Sequence, residues 1–390
     1  EPDIISSLVV TSVSTTSISL SWTKPQGNSS SYRVQVQGTT SISLSWTKPQ
    51  GNSSSYRVQV QGTGLDRNLT ANSESITVND LTAGSLYTFS VTARAADNLT
   101  EGDTVNITKH TKPDIISSLS VTSVSTTSIS LSWTKPQGNS SSYRVQVQGT
   151  GLDRNLTANS ESISVTDLTA GSVYTFSVTA RAADNLTEGD SVNITKHTKP
   201  DIISSLSVTS VSTTSISLSW TKPQGNSSSY RVQVQGTGLD RNLTANSESI
   251  SVTDLTAGSV YTFSVTARAA DNLTEGDSVN ITKHTKPDII SSLSVTSVST
   301  TSISLSWTKP QGNSSSYRVQ VQGTGLDRNL TANSESISVT DLTAGSLYTF
   351  NVTARAADNL TEGDSVSITK HTSKCLKQDR LYYCLTNLWV

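Results

Sequence analysis

An 87-residue sequence recurs along this chain of 390 residues, and it limits the possible folds more than any local motif does. Pro113–Lys199 is repeated without change as Pro200–Lys286, and Pro287–Thr372 is a third copy that differs at three positions. Repeats of about 20–50 residues build solenoids, because each needs its neighbours to complete a core. A longer repeat can enclose a core of its own. The sequence therefore predicts a series of small independent domains.

A fourth, longer copy precedes residue 113 and contains an internal duplication. Thr15–Gly38 is repeated at once as Thr39–Gly62. Because a closed domain has room for one such hairpin, one copy is expected to be extruded or loosely docked. The predicted domains are 1–112 (with 15–38 repeated as 39–62), 113–199, 200–286 and 287–372, followed by a non-repeat tail at 373–390.

Within a repeat, apolar and polar residues alternate with a period of two, which indicates β-strands with one buried face. The segments 129–133 and 143–147 show this alternation, and Gly- and Pro-containing turns at 135–139 and 149–153 separate the runs. No segment carries a helical apolar stripe of useful length. The sequence predicts an all-β chain of four tandem seven-stranded antiparallel β-sandwiches.

Three features of the repeat resemble the fibronectin type III domain. Trp133 ends the strand Ser-Ile-Ser-Leu-Ser-Trp, Tyr143 opens a Tyr-x-Val-x-Val strand, and Leu168 precedes Tyr174 by six positions. The resemblance implies that Trp133 is a core residue. It also implies that the Tyr174 hydroxyl ties the chain crossing to the backbone. The four repeats contain no Cys, which fits this family and not the disulfide-pinned antibody-type sandwich.

We expect no catalytic, cofactor-binding or metal site in this chain. Its four histidines occur once per repeat at the same position, so they lie roughly one strand length of about 26 Å or more apart. They are predicted to be exposed boundary residues: His110, His197, His284 and His371. The acidic stretch Asp184–Asp190 lacks the ligand spacing of a calcium loop, and no serine lies in a nucleophile-elbow motif.

Charge and hydropathy exclude two further classes of partner. The formal net charge is −2 with no basic block, so binding to nucleic acid by phosphate neutralisation is not expected. No apolar run approaches the 18 or so residues of a membrane-spanning helix. The chain contains no Met, and we expect it to be a fragment or a processed product. The predicted partner is an extracellular protein or matrix ligand of unknown identity.

The motif that carries functional information is the N-glycosylation acceptor Asn-x-Ser/Thr, called a sequon here. Such triplets arise easily in a chain rich in Ser and Thr, so their placement matters more than their number. Asn139, Asn155 and Asn185 are predicted to lie in turns, and Asn193 and Asn351 to face solvent between inward residues. The candidates are Asn28, Asn52, Asn68, Asn98, Asn106, Asn139, Asn155, Asn185, Asn193, Asn226, Asn242, Asn272, Asn280, Asn313, Asn329, Asn351 and Asn359.

The tail after residue 372 breaks the repeat pattern and holds both cysteines, Cys375 and Cys384. A local disulfide is one interpretation, which requires an oxidising compartment. The other is that the tail is unstructured because the reading frame leaves the true coding sequence there. Two cysteines are too few ligands for a zinc site.

Cysteine-free arrays with dense sequons are similar to the ectodomains of receptor-type tyrosine phosphatases of the density-enhanced and vascular-endothelial sort. This resemblance implies an extracellular spacer and adhesion or recognition array on a single-pass receptor. The alternative is a segment of a secreted, tenascin-like matrix glycoprotein. A weaker third option is an accessory array of a bacterial glycoside hydrolase. The chain itself is not expected to be an enzyme, because the phosphatase loop His-Cys-x5-Arg is absent.

Overall fold

The computed structural model describes the backbone of residues 6–13, 18–23, 38–45, 54–73, 75–323, 325–378 and 381–384. Side chains are described for 54–73, 75–323 and 325–374. The chain divides into two compact units, Glu1–Lys199 and Pro200–Val390, each with two repeats. Regular structure in the described ranges is entirely β, as the alternating sequence pattern predicts.

The strands follow the 87-residue period. The first repeat contains β1 (Ser6–Val13), β2 (Ile18–Thr23), β3 (Gly38–Ser45), β4 (Ser55–Gly62), β5 (Leu65–Ala71), β6 (Ser75–Leu81), β7 (Leu86–Arg94) and β8 (Glu101–His110). The second contains β9 (Ser117–Val124), β10 (Ile129–Thr134), β11 (Ser142–Gly149), β12 (Leu152–Ala158), β13 (Ser162–Val165), β14 (Val173–Arg181) and β15 (Glu188–His197). The third contains β16 (Ser204–Val211), β17 (Ile216–Thr221), β18 (Ser229–Gly236), β19 (Leu239–Ala245), β20 (Ser249–Val252), β21 (Val260–Arg268) and β22 (Glu275–His284). The fourth contains β23 (Ser291–Val298), β24 (Ile303–Thr308), β25 (Ser316–Gly323), β26 (Leu326–Ala332), β27 (Ser336–Val339), β28 (Leu347–Arg355) and β29 (Glu362–His371).

Each of the second, third and fourth repeats is a sandwich of a three-stranded and a four-stranded antiparallel sheet. In the second repeat the strand orders are β13-β10-β9 and β12-β11-β14-β15. Leu131 pairs with Ile163 on one side and Val121 on the other. The predicted seven-stranded all-β sandwich is confirmed for these three repeats.

The sandwich core consists of the inward residues of both sheets. Ile129 and Leu131 are fully buried, and Trp133 is 6% exposed. The ring of Trp133 meets that of Tyr143 edge to face with centroids 5.1 Å apart, an arrangement that stabilises an aromatic pair beyond its burial. Equivalent pairs occupy the third and fourth repeats. The predicted core position of Trp133 is confirmed.

A tyrosine fixes the crossing between the two sheets. Tyr174 is 1% exposed, and its hydroxyl accepts a hydrogen bond from the backbone N–H of Thr169 at 2.9 Å. The same bond is present in the other three repeats, where Tyr87, Tyr261 and Tyr348 accept it. A buried phenol needs a partner for its hydroxyl, and here the partner is the backbone five residues earlier. The corner that the resemblance implies is confirmed.

The duplication makes the first repeat wider than predicted. Its first sheet has the order β1-β2-β3-β6, in which β2 and β3 come from the two copies. The first copy pairs with β1 and the second with β6. The copies pair with each other in parallel, Leu20 opposite Leu44. The expectation of an extruded copy is wrong for the first strand of each copy, since both strands lie in the sheet, and this repeat has eight described strands instead of seven. The physical reason is that identical strands offer matching edges to the same sheet. The alternative of a loosely docked copy stays a prediction.

The tail differs from the expectation of an unstructured segment, because β30 (Cys375–Gln378) and β31 (Leu381–Cys384) form a two-stranded antiparallel hairpin. In its backbone register Cys375 stands opposite Cys384. Directly opposite residues of antiparallel strands have Cα atoms about 4.5–5.5 Å apart. A disulfide spans about 4.4–6.8 Å between Cα atoms, so the register is compatible with one.

Candidate glycosylation sites and repeat junctions

The sequon asparagines of the described residues are exposed or half-buried, and they fall into four structural groups. The first group lies in the strand after the two-residue turn at 150–151: Asn68, Asn155, Asn242 and Asn329. The prediction that Asn155 lies in a turn is wrong. Positive φ angles at Thr150 and Gly151 reverse the chain within two residues, so pairing resumes at Leu152 and Asn155 is an exposed strand residue.

The second group lies on the last strand of the repeat. Asn106, Asn193 and Asn280 are exposed and stand opposite a serine of the preceding strand, which is Ser177 in the second repeat. The fourth repeat exchanges the two residues, because Asn351 on β28 stands opposite Ser367 on β29. The Ser367 hydroxyl donates to Asn351 Oδ1. The exchange moves the asparagine to the other strand but keeps it at the same place on the sheet.

The third group lies in the loop between the last two strands: Asn98, Asn185, Asn272 and Asn359. Asn185 has a φ of 56° and accepts a hydrogen bond from the Ser142 hydroxyl through Oδ1 at 2.8 Å. Asp184 closes the loop by accepting bonds from the N–H groups of Leu186 and Thr187 at 3.0 and 2.9 Å. Among the described residues, no three His, Cys, Asp or Glu side chains are placed to hold a metal.

Two arginines anchor the same loop to the sheet through one shared glutamate. Nε of Arg144 and Nε of Arg181 each lie 2.8 Å from Glu188 Oε1 at the start of β15. Burial alone would raise the pKa of Glu188, but the bonds from the two guanidinium groups outweigh burial and hold that pKa below its usual value. Equivalent ion pairs recur in the other three repeats, so in each repeat an ion pair joins the two strand ends on either side of the loop.

The fourth group lies in the loop after the second strand of the repeat: Asn139, Asn226 and Asn313. Asn139 and Asn313 contact the preceding repeat. We call the contact of Ala83–Ser85 and His110 with Asn139 and Asp184 the 1–2 junction. The backbone N–H of Asn139 donates to Ala83 O at 2.9 Å, and its Nδ2 donates to the Ser85 hydroxyl at 2.8 Å. The backbones of the two repeats approach so closely that a Cβ on Gly84 would lie 1.7 Å from Asn139 O.

The same contact recurs inside the second compact unit. There Ala257–Ser259 and His284 meet Asn313 and Asp358, which we call the 3–4 junction. Asn313 donates its backbone N–H to Ala257 O at 2.9 Å and its Nδ2 to the Ser259 hydroxyl at 2.8 Å. The same pairs of atoms meet at the 1–2 junction and at the 3–4 junction, which indicates a specific contact between repeats.

A histidine and an aspartate complete each junction. Nδ1 of His110 lies 3.3 Å from Asp184 Oδ2, and Nδ1 of His284 lies 3.4 Å from Asp358 Oδ2. The side chain of His110 is 13% exposed. The prediction of exposed boundary histidines is wrong for three residues, because His110, His197 and His284 are half-buried. The following repeat covers His110 and His284. His371, in the last repeat, is exposed.

Burial opposes ionisation of Asp184, but other contacts reverse the effect. The hydrogen bonds from Thr187 and Leu186, together with the neighbouring His110, hold the pKa of Asp184 below its usual value. Asp358 behaves in the same way beside His284. The carboxylate is therefore the favoured form, and it faces the preceding repeat.

Some of the sequence-predicted positions lie outside the described residues or side chains. These are Asn28, Asn52 and the side chains of Cys375 and Cys384. Sequence reasoning singled out His110, Asn139 and Asp184 but did not predict their contacts with a neighbouring repeat. Ala83–Ser85 and Asn139 lie in segments with ordinary turn composition, so their second role as contacts between repeats leaves no distinct pattern.

The fibronectin type III domain model matches residues 36–107, 114–195, 201–282 and 288–369. The chain belongs to the fibronectin type III family. In the first repeat the match begins at residue 36, just before the second copy of the duplication, and that copy supplies β3 and β4.

The chain is similar to receptor-type phosphatases and to tenascins. It is 35% identical to receptor-type tyrosine-protein phosphatase eta of Gallus gallus over 95% of this chain and 25% of that protein. It is 33% identical to receptor-type tyrosine-protein phosphatase H of Homo sapiens over 95% of this chain and 32% of that protein. It is 27% identical to tenascin-R of Rattus norvegicus over 60% of this chain and 18% of that protein. The chain thus spans about a third or less of these relatives.

Solved structures of the same domain type are also similar. A two-domain fibronectin type III segment of chicken tenascin is 22% identical, with a TM-score of 0.34, over 44% of this chain and 99% of that one. In the part of the chain that the structure describes, no helix is long and apolar enough to cross a membrane.

Proposed function

We propose that this array is an extracellular spacer and recognition segment in the ectodomain of a single-pass receptor-type tyrosine phosphatase. The observation that carries the proposal is the similarity to two such phosphatases along 95% of the chain. Tenascin-R is similar over a smaller share, 60%, and at lower identity. The partner would be an extracellular protein or matrix ligand.

The surface of the repeats supports an extracellular location. The sequon asparagines among the described residues lie on exposed or half-buried positions of strands, loops and junctions, where a glycan enters no core. In the tail, the register of Cys375 opposite Cys384 supports a local disulfide, which would persist in the same oxidising environment.

The catalytic part of such a receptor would lie in a cytoplasmic domain outside this sequence, so the activity belongs to the whole protein. The experiment is to read the transcript beyond codon 372 and express the complete protein in cultured cells. We expect a membrane span, a phosphatase loop, surface labelling of intact cells, and a mass decrease on enzymatic removal of N-glycans. The domain boundaries at 112, 199, 286 and 372 are proposed as the limits for truncation.

The alternative is a secreted matrix glycoprotein similar to tenascin, which the matches to tenascin-R and to tenascin of Gallus gallus support. In that case the complete protein is recovered from the medium, and a fibrinogen-like globe follows the repeats in place of a membrane span. A protein that is found in the medium and carries no phosphatase loop contradicts the receptor proposal.

A further inference from the structure

The first repeat divides between two strands the contacts that a single strand makes in the other repeats. In the second repeat β10 pairs with β9 on one side and with β13 on the other. In the first repeat β2 makes the first set of contacts, with β1, and β3 makes the second set, with β6. Each copy therefore has one edge paired as in the other repeats and one edge that meets the other copy.

The register shows that β1 has two equivalent partners. Val10 stands opposite Leu20 as Val121 stands opposite Leu131 in the second repeat. Leu44 is the counterpart of Leu20 in the second copy, and residues 42–45 repeat the sequence of residues 18–21. Every pair that β1 makes with residues 18–21 could therefore be made with residues 42–45 at the same register.

The contact between the two copies is short and parallel. It consists of two pairs, Ser19 with Ser43 and Leu20 with Leu44. By contrast, β1 with β2 and β3 with β6 form longer antiparallel ladders. Parallel pairing is also slightly less stable per residue than antiparallel pairing. Little backbone pairing is lost when the copies separate.

The first sheet has gained a strand, but the sheet that faces it has not. The facing sheet has four strands in this repeat, in the order β5-β4-β7-β8, and four in each of the other repeats. The outer strand β1 lies beside β8 as β9 lies beside β15. A three-stranded first sheet would therefore meet the same facing strands as the four-stranded one.

Loop closure and burial set the balance between the two arrangements. With β1 on β2, residues 14–17 join the paired strands, whereas with β1 on β3 the connection is residues 14–41. The cost of closing a flexible loop grows only with the logarithm of its length. Release of β2 would return its apolar residues Ile18 and Leu20 to water, which is unfavourable. The four-stranded order is therefore expected to be the major one and the three-stranded order the minor one.

We propose that β1 exchanges between the two copies, so that the first sheet switches between the order β1-β2-β3-β6 and the order β1-β3-β6. In the second order the first copy is released while β3, β6 and the facing sheet stay in place. A released strand carries unpaired N–H and C=O groups that can pair with another strand. The duplication thus gives the first repeat a releasable segment without unfolding the domain. This exchange requires neither glycosylation nor the receptor assignment.

Disulfide trapping in the full chain distinguishes the two orders, after Cys375 and Cys384 are changed to Ser. Val9→Cys with Ser21→Cys reports the four-stranded order, in which these two residues are paired. Val9→Cys with Ser45→Cys reports the three-stranded order. In the four-stranded order β2 separates Val9 from Ser45, and two strand spacings are about 9.5 Å. That distance exceeds the roughly 7 Å between Cα atoms that a disulfide can span.

The second repeat supplies the reference pair. Ser120 and Ser132 stand at the equivalent register of β9 and β10, and their hydroxyl oxygens lie 3.2 Å apart. Ser120→Cys with Ser132→Cys therefore measures how readily a disulfide forms at this register when the strand has a single partner. The negative control is Val9→Cys with Ser75→Cys, because neither order places β1 next to β6.

The readout is the effective concentration of each cysteine pair in a glutathione buffer, where disulfides form and break reversibly. An arrangement that is populated part of the time lowers this value in proportion to its population. We expect the pair at residues 9 and 21 to lie close to the reference. The pair at residues 9 and 45 should reach about 0.1–10% of the reference, the range of a minor conformation, and should exceed the negative control.

A shortened chain tests whether the Val9→Cys change disturbs the first repeat. Deleting residues 39–62 leaves one copy, so Ser21→Cys is then the single partner, and that pair should reach the reference value. If it does not, Ser12→Cys with Ser43→Cys makes the same measurement with Val9 intact. Its reference is Ser123→Cys with Ser130→Cys in the second repeat.

Two results overturn the exchange. In the first, the pair at residues 9 and 45 stays at the level of the negative control while the pair at residues 9 and 21 matches the reference, so that β1 remains on β2. In the second, the pair at residues 9 and 21 stays at the control level, so that the four-stranded order is not populated. Formation of both pairs above the control supports the exchange.

Discussion

The imidazole of His110 contacts Asp184 of the following repeat, with Nδ1 3.3 Å from Oδ2. The same carboxylate organises the loop of its own repeat by accepting hydrogen bonds from Leu186 and Thr187. Asp184 therefore links the order of a loop inside one domain to the contact with its neighbour. The corresponding aspartate in the first repeat, Asp97, makes the same loop bonds.

These loop aspartates predict how stability depends on acid. Hydrogen bonds from Thr100 and Leu99 lower the pKa of Asp97 to about 2, against about 3.9 in an unfolded chain. Since the folded pKa is the lower one, the stabilisation is present above about pH 4 and is lost as the pH falls towards 2. Calorimetry should show that changing Asp97, Asp184 and Asp358 to Asn lowers Tm at pH 7 and that this loss of Tm shrinks as the pH falls towards 2. An equal loss at both pH values would falsify the assignment.

Gly84→Ala should open the 1–2 junction. The new Cβ would lie 1.7 Å from Asn139 O, and Gly84 has a φ of 65°. Gly151→Ala is the matched control, because Gly151 has a φ of 71° and no atom within 4 Å of the position of a Cβ. Both changes carry the backbone strain of a positive φ, about 1 kcal/mol, but Gly84→Ala alone also meets the neighbouring repeat.

The readout for this pair of variants is the distribution of distances between spin labels placed at the exposed positions of Asp103 and Asp190. The full chain is used, produced in bacteria and therefore without glycans. We expect a broad distribution for Gly84→Ala and a narrow one for Gly151→Ala. If both variants give the parental distribution, the close approach at the junction does not hold the repeats together.

Tyr174→Phe should destabilise the second repeat by removing the acceptor of the Thr169 N–H. Loss of a partner for a buried polar group costs about 1–3 kcal/mol. For a domain of this size that lowers Tm by roughly 5–20 °C. Because the other repeats keep their tyrosine, calorimetry of the full chain should resolve a separate transition at lower temperature. Trp133→Ala should shift that transition further, since it removes a large core residue at about 3–5 kcal/mol.

Deleting one copy of the 24-residue duplication should stabilise the first repeat. Removal of either copy gives the same sequence, in which one strand pairs with β1 on one side and β6 on the other. The present sheet instead relies on a short parallel pairing, Ser19 with Ser43 and Leu20 with Leu44. Calorimetry should place the first-repeat transition of the shortened chain closer to those of the other repeats.

Limited proteolysis gives a second measure of the same prediction. We expect the first cuts in the parent chain to fall within Thr15–Gly62, and the shortened chain to resist cleavage there. First cuts between the later repeats in the parent chain would argue against a weak first domain.

The strand positions of the sandwich were predictable because burial of one face imposes a period of two. Ile129, Leu131 and Trp133 face the core as the alternation requires. The strand position of Asn155 could not be predicted, because the sequence of its segment resembles a continuation of the preceding turn. In the structure, positive φ angles at Thr150 and Gly151 end the turn at Gly151. In the first repeat, local pattern could not tell that both copies of a strand enter one sheet.

The junctions were unpredictable for a different physical reason. Their contacts are made by backbone groups and by the polar side chains of Ser85, Asn139, His110 and Asp184. Such contacts bury few apolar side chains, so they add no period to the sequence. The glycosylation candidates could be found from the motif, but which of them face a neighbour depends on how the domains dock.

The parallel pairing of β2 with β3 shows a second way in which a repeat protein can grow. Copying 87 residues lengthens an array by one domain, whereas copying 24 residues widens a single sheet by one strand. Of the two copied strands, β2 pairs with β1 and β3 pairs with β6. Growth by this route preserves every older neighbour relationship in the sheet, so a domain can gain breadth in one genetic step without first losing its architecture.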